Sequence, residues 1–208
     1  MARKSIGLPV LVLVLASVST AQTDVADDCV KTLISAAVER TNLHIRYDGS
    51  YRQISYPGGD VPETVGVCTD LIIRSYRKLG VDLQKEVHED MKRAFSQYPN
   101  TWGSRRPDPN IDHRRVANLR TFLGRHGLTL SASENPHDYL PGDLVTWSLP
   151  GGLSHIGIVG DQRTADGKRP LIVHNIGRGP EVEDMLLDYP ITGHYRYIPC
   201  PGRGERSD

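Results

Sequence analysis

Apolar residues recur at two different spacings along this chain, and the spacing changes about two thirds of the way along it. In the first part they lie three and four positions apart, which is the period of one face of an α-helix. Gly or Pro interrupts this pattern between the segments. The pattern predicts helices over residues 24–41, 68–80, 83–98 and 116–127.

After Pro141-Gly142, short runs of Val, Ile and Leu replace the helical spacing. Asp166-Gly167 is a typical hairpin turn within the segment 161–169. Helices followed by neighbouring strands indicate the α+β fold class with an antiparallel sheet. The runs predict strands over residues 144–147, 156–159, 171–173 and 194–198, with loops over 47–66 and 99–113.

The first residues have the form of an export signal. Arg3 and Lys4 precede an apolar run from Ile6 to Val18, and small residues follow it up to Ala21. This pattern predicts a secretory signal at residues 1–21, cleaved after Ala21, and a single domain at 22–208. An uncleaved anchor is the alternative, disfavoured because the run is short. We expect a periplasmic or secreted protein with no stable membrane insertion after cleavage.

Composition narrows the classes of partner. Lys and Arg together number 25, as do Asp and Glu, so no basic surplus favours nucleic acid. We expect a monomer. No set of His and Cys residues has the spacing of a zinc site, so neither a metal nor another cofactor is expected.

The charged loop at 105–115 includes Asp112, His113 and Arg114, which could bind substrate carboxylates or form only a solvated loop.

The sequence has three cysteines, so one thiol stays unpaired if the other two form a disulfide. Cys29 and Cys200 lie near the two ends of the mature chain, and chain ends often meet in space, so we predict a disulfide between them. Cys68 then remains free. In an oxidising compartment it is either a functional thiol or a buried, inert one.

Cys68 stands where a loop becomes a helix, a position that favours the reactive thiolate, most of all beside an imidazolium. His155 opens one predicted strand and His174 closes the next, so both rings can lie close together. We predict Cys68 as nucleophile, His155 as its base and His174 as the residue that orients His155. Asn175, on the opposite strand face, is the reserve candidate for that orienting role.

The order of these pieces resembles the NlpC-type branch of the papain-like cysteine peptidases. The matching pieces are Tyr56-Pro-Gly-Gly59, Cys68, Pro141-Gly-Asp143, His155-Ile-Gly-Ile-Val and Ile-Val-His174. The mature chain is also similar, over its whole length, to a bacterial exported family of unknown function assigned to that superfamily. That closer match lies in Tyr-Pro-Gly-Gly-Asp-Val-Pro, Val-Cys-Thr-Asp, Arg-Pro-Asp-Pro-Asn-Ile-Asp-His-Arg-Arg, Val-His-Asn-Ile-Gly and Ile-Thr-Gly-His-Tyr-Arg-Tyr.

The resemblance implies a cysteine-bearing helix packed on a sheet that carries both histidines. It also implies a cysteine amidase or endopeptidase that cleaves peptidoglycan stem peptides through an acyl-enzyme. Tyr56 is then the nearest match to a tyrosine that binds oxyanion or substrate, with Gly59 and Asp70 as further candidates. NlpC-type relatives place Asp before the Cys and Ser-Gly after it. Here Val67, Thr69 and Asp70 occupy those positions, which argues against the usual D-glutamate–diaminopimelate bond.

Two other classes of function stay open. The same Cys-His-His site could serve an acyltransferase, or a hydrolase of another amide. The protein could instead be a non-catalytic periplasmic binding protein that holds a wall peptide. The presence of Cys68 together with both histidines argues against that second class.

Overall fold

The computed structural model describes the backbone of residues 15–200 and the side chains of residues 25–200. Helices precede an antiparallel sheet, so the α+β prediction is confirmed. The helices are α1 (Leu15–Glu39), α2 (Cys68–Arg77), α3 (Leu83–Ala94) and α4 (Val116–His126). The strands are β1 (Arg46–Tyr47), β2 (Val65–Gly66), β3 (Leu128–Leu130), β4 (Leu144–Leu149), β5 (Leu153–Arg163), β6 (Pro170–Asn175), β7 (Pro180–Glu183) and β8 (Ile191–Arg196).

Six strands form the main sheet, in the order β3-β8-β4-β5-β6-β7. Every neighbouring pair in it is antiparallel. β5 is the longest strand and lies inside the sheet, where it pairs with β4 through Trp147 and His155 and with β6 through Gly157 and His174. Residues on β5 and β6 are therefore fixed in register from both sides.

The two faces of the sheet bury different cores. Ile156 and Ile158 belong to the core shared with α1, α2 and α4. Val159 belongs to a smaller core on the other face, together with Trp147 and Ile172. Because successive strand residues point to opposite faces, His155 lies on the face away from α2, beside Trp147, with 5.8 Å between ring centroids.

The ends of the domain are joined covalently. Cys29 in α1 and Cys200 beyond β8 form a disulfide, with 6.0 Å between their Cα atoms. The bond ties the first helix to the segment that follows the last strand. Cys68 is the free cysteine, and it is buried.

Several elements differ from those predicted. β3 and β7 were not predicted, because Leu128–Leu130 is too short and Pro180–Glu183 is both short and polar. β1 and β2 form a short parallel pair within the region predicted as loop. β5 begins before His155 rather than at it. In each case pairing with a neighbouring strand decides the outcome, and the local sequence carries little of that information.

The predicted export signal at 1–21 falls mostly outside the described residues. Residues 1–14 are not described, and α1 begins at Leu15. Among the described helices, none is both long enough and apolar enough to cross a membrane.

Candidate active site

Cys68 is the first residue of α2, and local hydrogen bonds fix that helix start. The Asp70 carboxylate reaches back to accept the Val67 backbone N–H at 2.7 Å. Immediately upstream, Gly66 in β2 pairs with Tyr47 in β1. A Cβ atom at residue 66 would lie 3.2 Å from the Asp70 Cβ atom, so this tight start favours glycine there. The thiol is held where the sequence predicts it, at a helix N-terminus.

A buried ion pair fixes this helix start to the rest of the domain. Arg114 meets Asp70 through two bonds, Nε to Oδ1 at 2.8 Å and Nη2 to Oδ2 at 2.9 Å. Its remaining donors reach the backbone carbonyls of Ser50 and Asp48, both at 3.2 Å. Both charged side chains are almost fully buried. Asp70 and Arg114 are thus engaged within the fold as a structural ion pair, and their predicted substrate role stays a prediction.

The sulfur of Cys68 lies in a confined, mostly uncharged environment. The side chain is only 4% exposed. Burial is the main cause that raises the pKa of the thiol to about 11, although the backbone N–H groups of Ile156 and Thr69 and the Tyr47 side chain favour the thiolate. The expected thiolate is therefore absent in this state. The helix N-terminus lowers the pKa of the thiol, but the removal of the sulfur from water raises it by more.

His155 and His174 form a direct pair. Nε2 of His155 lies 3.0 Å from Nδ1 of His174, and both rings are buried. Nε2 of His174 lies 2.9 Å from Oε1 of Glu183 in β7. Burial, and then the neighbouring His174, lower the pKa of His155 to about 3. His155 is therefore a neutral imidazole at physiological pH and not the imidazolium expected beside a thiolate.

Cys68 approaches this pair at the place where β5 and β6 separate. The pairing of β6 with β5 extends to Gly157, and Ile156 lies one residue beyond it. The N–H of Ile156 faces the Cys68 sulfur, and His155 is the adjacent residue. Among the described residues no hydrogen bond joins the thiol to the His155 ring. Cys68 and His155 thus lie at the same segment of β5 without a hydrogen bond between them in this state.

Glu181 and Glu183 of β7 lie with His174 close enough to resemble a metal site. Arg178 already binds this group of carboxylates, with Nη2 at 3.1 Å from Glu181 and 3.3 Å from Glu183. The single guanidinium offsets one of the two carboxylate charges, and a cation would have to compete with it. The cluster is therefore better described as an ion-paired support behind His174.

Tyr56 and Gly59 do not line the Cys68 environment. The Tyr56 hydroxyl donates to Glu89 of α3 at 2.6 Å. The Gly59 N–H donates to Gln84 at 2.8 Å, and its carbonyl accepts from Arg77. These bonds fold the Gly-rich loop onto α2 and α3. The oxyanion or substrate role of both residues stays a prediction, and their observed contacts are structural.

Asp112 and His113 are also part of the interior. Asp112 accepts the Asp108 backbone N–H at 2.6 Å and pairs with Arg115 at 3.1 Å. His113 is buried and its Nδ1 has no hydrogen-bond partner within the described structure. Burial lowers its pKa to about 4. The solvated-loop alternative does not describe these two residues, because both side chains are buried. Their substrate role stays a prediction.

Asn175 does not orient His155 in this structure. Its side-chain oxygen accepts the Gly177 N–H at 3.2 Å, and it lies on the strand face opposite His174. His174 holds the position next to His155 instead. The reserve candidate is therefore unnecessary.

Two residues at the site were missed from the sequence. Tyr47 lies against the Cys68 thiol, and burial and this neighbour both raise the pKa of its hydroxyl. Glu183 continues the hydrogen-bonded pair behind His174. Tyr47 had no local signal that distinguished it from Tyr51 and Tyr56. For Glu183, the polar–apolar–polar alternation of Glu181-Val182-Glu183 was a signal in the sequence that could have predicted a strand there.

Comparison with known proteins gives two matches. The family model described as "Domain of unknown function (DUF1287)" matches residues 34–197. A protein of Escherichia coli (strain K12) named "Uncharacterized protein YijF" is 54% identical over 152 residues, which cover 73% of this chain and 74% of that protein.

The buried pair at the helix start predicts the effect of one substitution. Arg114→Met leaves the Asp70 carboxylate buried without its partner, so we expect the free energy of unfolding to fall by about 3–5 kcal/mol. Arg52→Met is the matched control, since Arg52 forms a partly exposed pair with Asp48 and should cost no more than about 1 kcal/mol. Denaturant unfolding of both variants measures the difference, and equal losses would contradict it.

His113 predicts a loss of stability in mild acid. Its folded pKa of about 4 lies below the ordinary value of 6.5, so the unfolded chain gains a proton first as the pH falls. The contribution is lost from pH 6.5 down to about 4, at up to about 1.4 kcal/mol per pH unit. Unfolding measured across this range should show a shallower decline for His113→Leu. Parallel curves for the variant and the native chain would refute the assignment.

The covered thiol predicts slow alkylation. Raising the pKa from an ordinary 9.0 to about 11 lowers the thiolate fraction about 100-fold. Cys68 should therefore react with iodoacetamide at least that much more slowly than free cysteine at neutral pH. Tyr47→Ala should accelerate the reaction by opening access to the sulfur, whereas Tyr51→Ala should not, since Tyr51 bonds to Asp108. A native rate near that of free cysteine would contradict the buried, protonated state.

Proposed function

The chain belongs to the DUF1287 family, and from the geometry of its thiol and paired imidazoles we propose that it is a cysteine amidase or endopeptidase of the NlpC-type, papain-like class. One observation carries the proposal. A thiol at a helix N-terminus lies against the N–H of Ile156, next to His155, whose ring is held by a second histidine. A nucleophile, a base and an orienting group are the parts that covalent amide cleavage needs.

The proposed reaction assigns one role to each part. The Cys68 sulfur attacks the amide carbonyl carbon while its proton passes to His155. Because Nε2 of His155 is occupied by His174, Nδ1 is the nitrogen left to accept that proton. The tetrahedral intermediate collapses as the proton moves from Nδ1 to the leaving amine, which gives a thioester. Water, deprotonated by the same nitrogen, then releases the acid and restores the thiol.

The neutral resting state suits this order of events. With the pKa of Cys68 at about 11 and that of His155 at about 3, the proton stays on sulfur until an acceptor carbonyl arrives. Proton transfer is then coupled to attack, as in a serine hydrolase, instead of preceding it as an ion pair. No metal or other cofactor takes part in these steps.

Tyr47 takes the place that the sequence suggested for Tyr56. Its hydroxyl faces the sulfur from β1, and the Thr69 N–H faces it from the first turn of α2. Donors this close to the attacking atom are suited to stabilise the oxyanion of the tetrahedral intermediate. Since Tyr47 also covers the thiol, its side chain must move aside for a substrate to enter.

Peptidoglycan stem peptide is the proposed substrate. The ordered resemblance to NlpC-type enzymes supports it, as does the predicted export signal, which would deliver the protein to the wall. The residues before and after Cys68 differ from the NlpC pattern, so we propose an amide bond other than D-glutamate to diaminopimelate.

Acyl transfer is a second candidate, favoured by the burial of Cys68. A thioester formed on a side chain that is only 4% exposed is shielded from bulk water. Such shielding favours an amine or hydroxyl acceptor that enters the site over hydrolysis. The masses of the products distinguish the two reactions.

Digestion of purified peptidoglycan tests the proposal. The chain lacking residues 1–21, with its disulfide intact, should release new fragments whose masses identify the bond cleaved. Cys68→Ala and His155→Ala should abolish the release, and general acid–base catalysis alone accounts for about 10²–10⁴-fold of the His155 effect. His137→Ala is the control, because His137 is exposed in a surface turn.

Each result leads to a different conclusion. Fragments joined to an added amine acceptor in place of water would identify acyl transfer. Release that persists in Cys68→Ala would contradict the nucleophile. No Cys68-dependent product from peptidoglycan or from a panel of peptide amides would leave the non-catalytic binding protein as the better description.

A further inference from the structure

Three side chains on three adjacent strands form one continuous hydrogen-bonded series. Glu183 of β7 meets Nε2 of His174 on β6 at 2.9 Å. Nδ1 of the same ring meets Nε2 of His155 on β5 at 3.0 Å. Gly157 and Glu181 lie opposite His174 in the strand register. His155 and Glu183 are each two residues from those positions, on the same sheet face, so both reach the His174 ring diagonally.

The two ends of this series differ chemically. A carboxylate only accepts hydrogen bonds, whereas a neutral imidazole donates from one nitrogen and accepts at the other. With Glu183 ionised, Nε2 of His174 must carry the hydrogen, which leaves Nδ1 of that ring as an acceptor. Nε2 of His155 must then donate to it. The one remaining nitrogen, Nδ1 of His155, is left without a proton.

We propose that Glu183 is a positioning residue that fixes, through His174, the tautomer of His155 in which Nδ1 is free to accept the Cys68 proton. The inference rests on the proposed function, because a role for that nitrogen matters only if Cys68 reacts. It goes further than the assignment of a Cys-His-His site, which does not say which histidine donates the hydrogen bond between the two rings. Without a fixed acceptor behind His174, the two opposite arrangements of protons satisfy the same 3.0 Å contact.

Neighbouring charges favour this assignment. The charged groups facing His174 are Glu183, Glu181 and Arg178. Arg178 binds both carboxylates and thereby holds Glu183 in place. Glu181 lies opposite His174 in the strand register but bonds Arg178 and makes no hydrogen bond to the ring among the described residues. Glu181 therefore has similar surroundings without the proposed role.

The same arrangement stabilises the charged intermediate. When Nδ1 of His155 accepts the proton, the imidazolium keeps its Nε2 hydrogen directed at His174. Its positive charge is then two hydrogen bonds from the Glu183 carboxylate. Donation of the Nδ1 proton to the leaving amine returns the series to its initial arrangement, so no net proton is lost or gained.

Nitrogen NMR of the full chain labelled with ¹⁵N-histidine tests the tautomers directly, without any substrate. At neutral pH we expect hydrogen on Nε2 of both His174 and His155, with both Nδ1 atoms bare. Glu183→Met, similar in size but without a carboxylate, should replace this with a mixture of tautomers. Glu181→Met is the matched control and should leave the spectrum unchanged, while Glu183→Gln keeps an acceptor and should lie in between.

Two results would overturn the proposal. One is a hydrogen on Nδ1 of His155 in the native chain. The other is a Glu183→Met spectrum that matches the native one. Backbone spectra of each variant show whether it is folded. If Glu183→Met does not fold, the tautomers of the native chain and the Glu183→Gln spectrum still decide.

Kinetics separates this inference from the proposed function. On a cleaved peptide, Glu183→Met should lower kcat by about 10²-fold at an unchanged KM, with Glu181→Met near native. If the native tautomers are as proposed but no substrate shows Cys68-dependent cleavage, the hydrolase is contradicted and the positioning of the histidines by Glu183 is supported. If the native protein and Glu183→Met cleave the peptide equally fast, the positioning role of Glu183 is contradicted and the hydrolase is supported.

Discussion

The geometry around Cys68 depends on the buried Asp70–Arg114 pair. Burying two charged groups costs desolvation free energy. Here the bidentate contact between Arg114 and Asp70 offsets that cost. The Val67 N–H also bonds to the Asp70 carboxylate, and two backbone carbonyls accept the remaining Arg114 donors. The pair joins the first turn of α2 to the segment before β2 and to the turn at 112–114. The thiol is placed by a network that reaches far beyond its own helix.

The sheet supplies the other half of the site. Three strands contribute one group each, and His155 and Glu183 reach His174 diagonally, two residues from the positions opposite it in the antiparallel register. These side chains lie on the face away from α2. Cys68 lies against the Ile156 N–H, next to His155, where the pairing of β6 with β5 has ended. A gap at the edge of strand pairing, and not a surface cleft, is what lets a helix residue and a strand residue share one site.

Burial has opposite effects on the reactivity and the protection of this site. It keeps Cys68 protonated and His155 neutral, so the resting thiol is a poor nucleophile. A protonated, covered thiol also resists oxidation, since the thiolate is the species that oxidants attack. In the oxidising compartment that the N-terminal pattern predicts, such a thiol would stay reduced. In the proposed reaction it becomes reactive once a substrate displaces Tyr47.

The sequence alone determined the α+β class, the helix start at Cys68 and the pairing of two histidines on neighbouring strands, because these follow from local periodicity and chain order. It did not determine the roles of the charged and aromatic residues. Tyr56 and Tyr47 look alike in the sequence, and only strand pairing placed Tyr47 against the thiol. The charged loop at 105–115 could be substrate-binding or solvated by sequence, and neither alternative included burial, because burial of a charge depends on a distant partner. Glu183 joined the site through β7, a strand that forms only by pairing with β6. Tertiary structure decided these points, since each is a contact between segments that local sequence patterns do not encode.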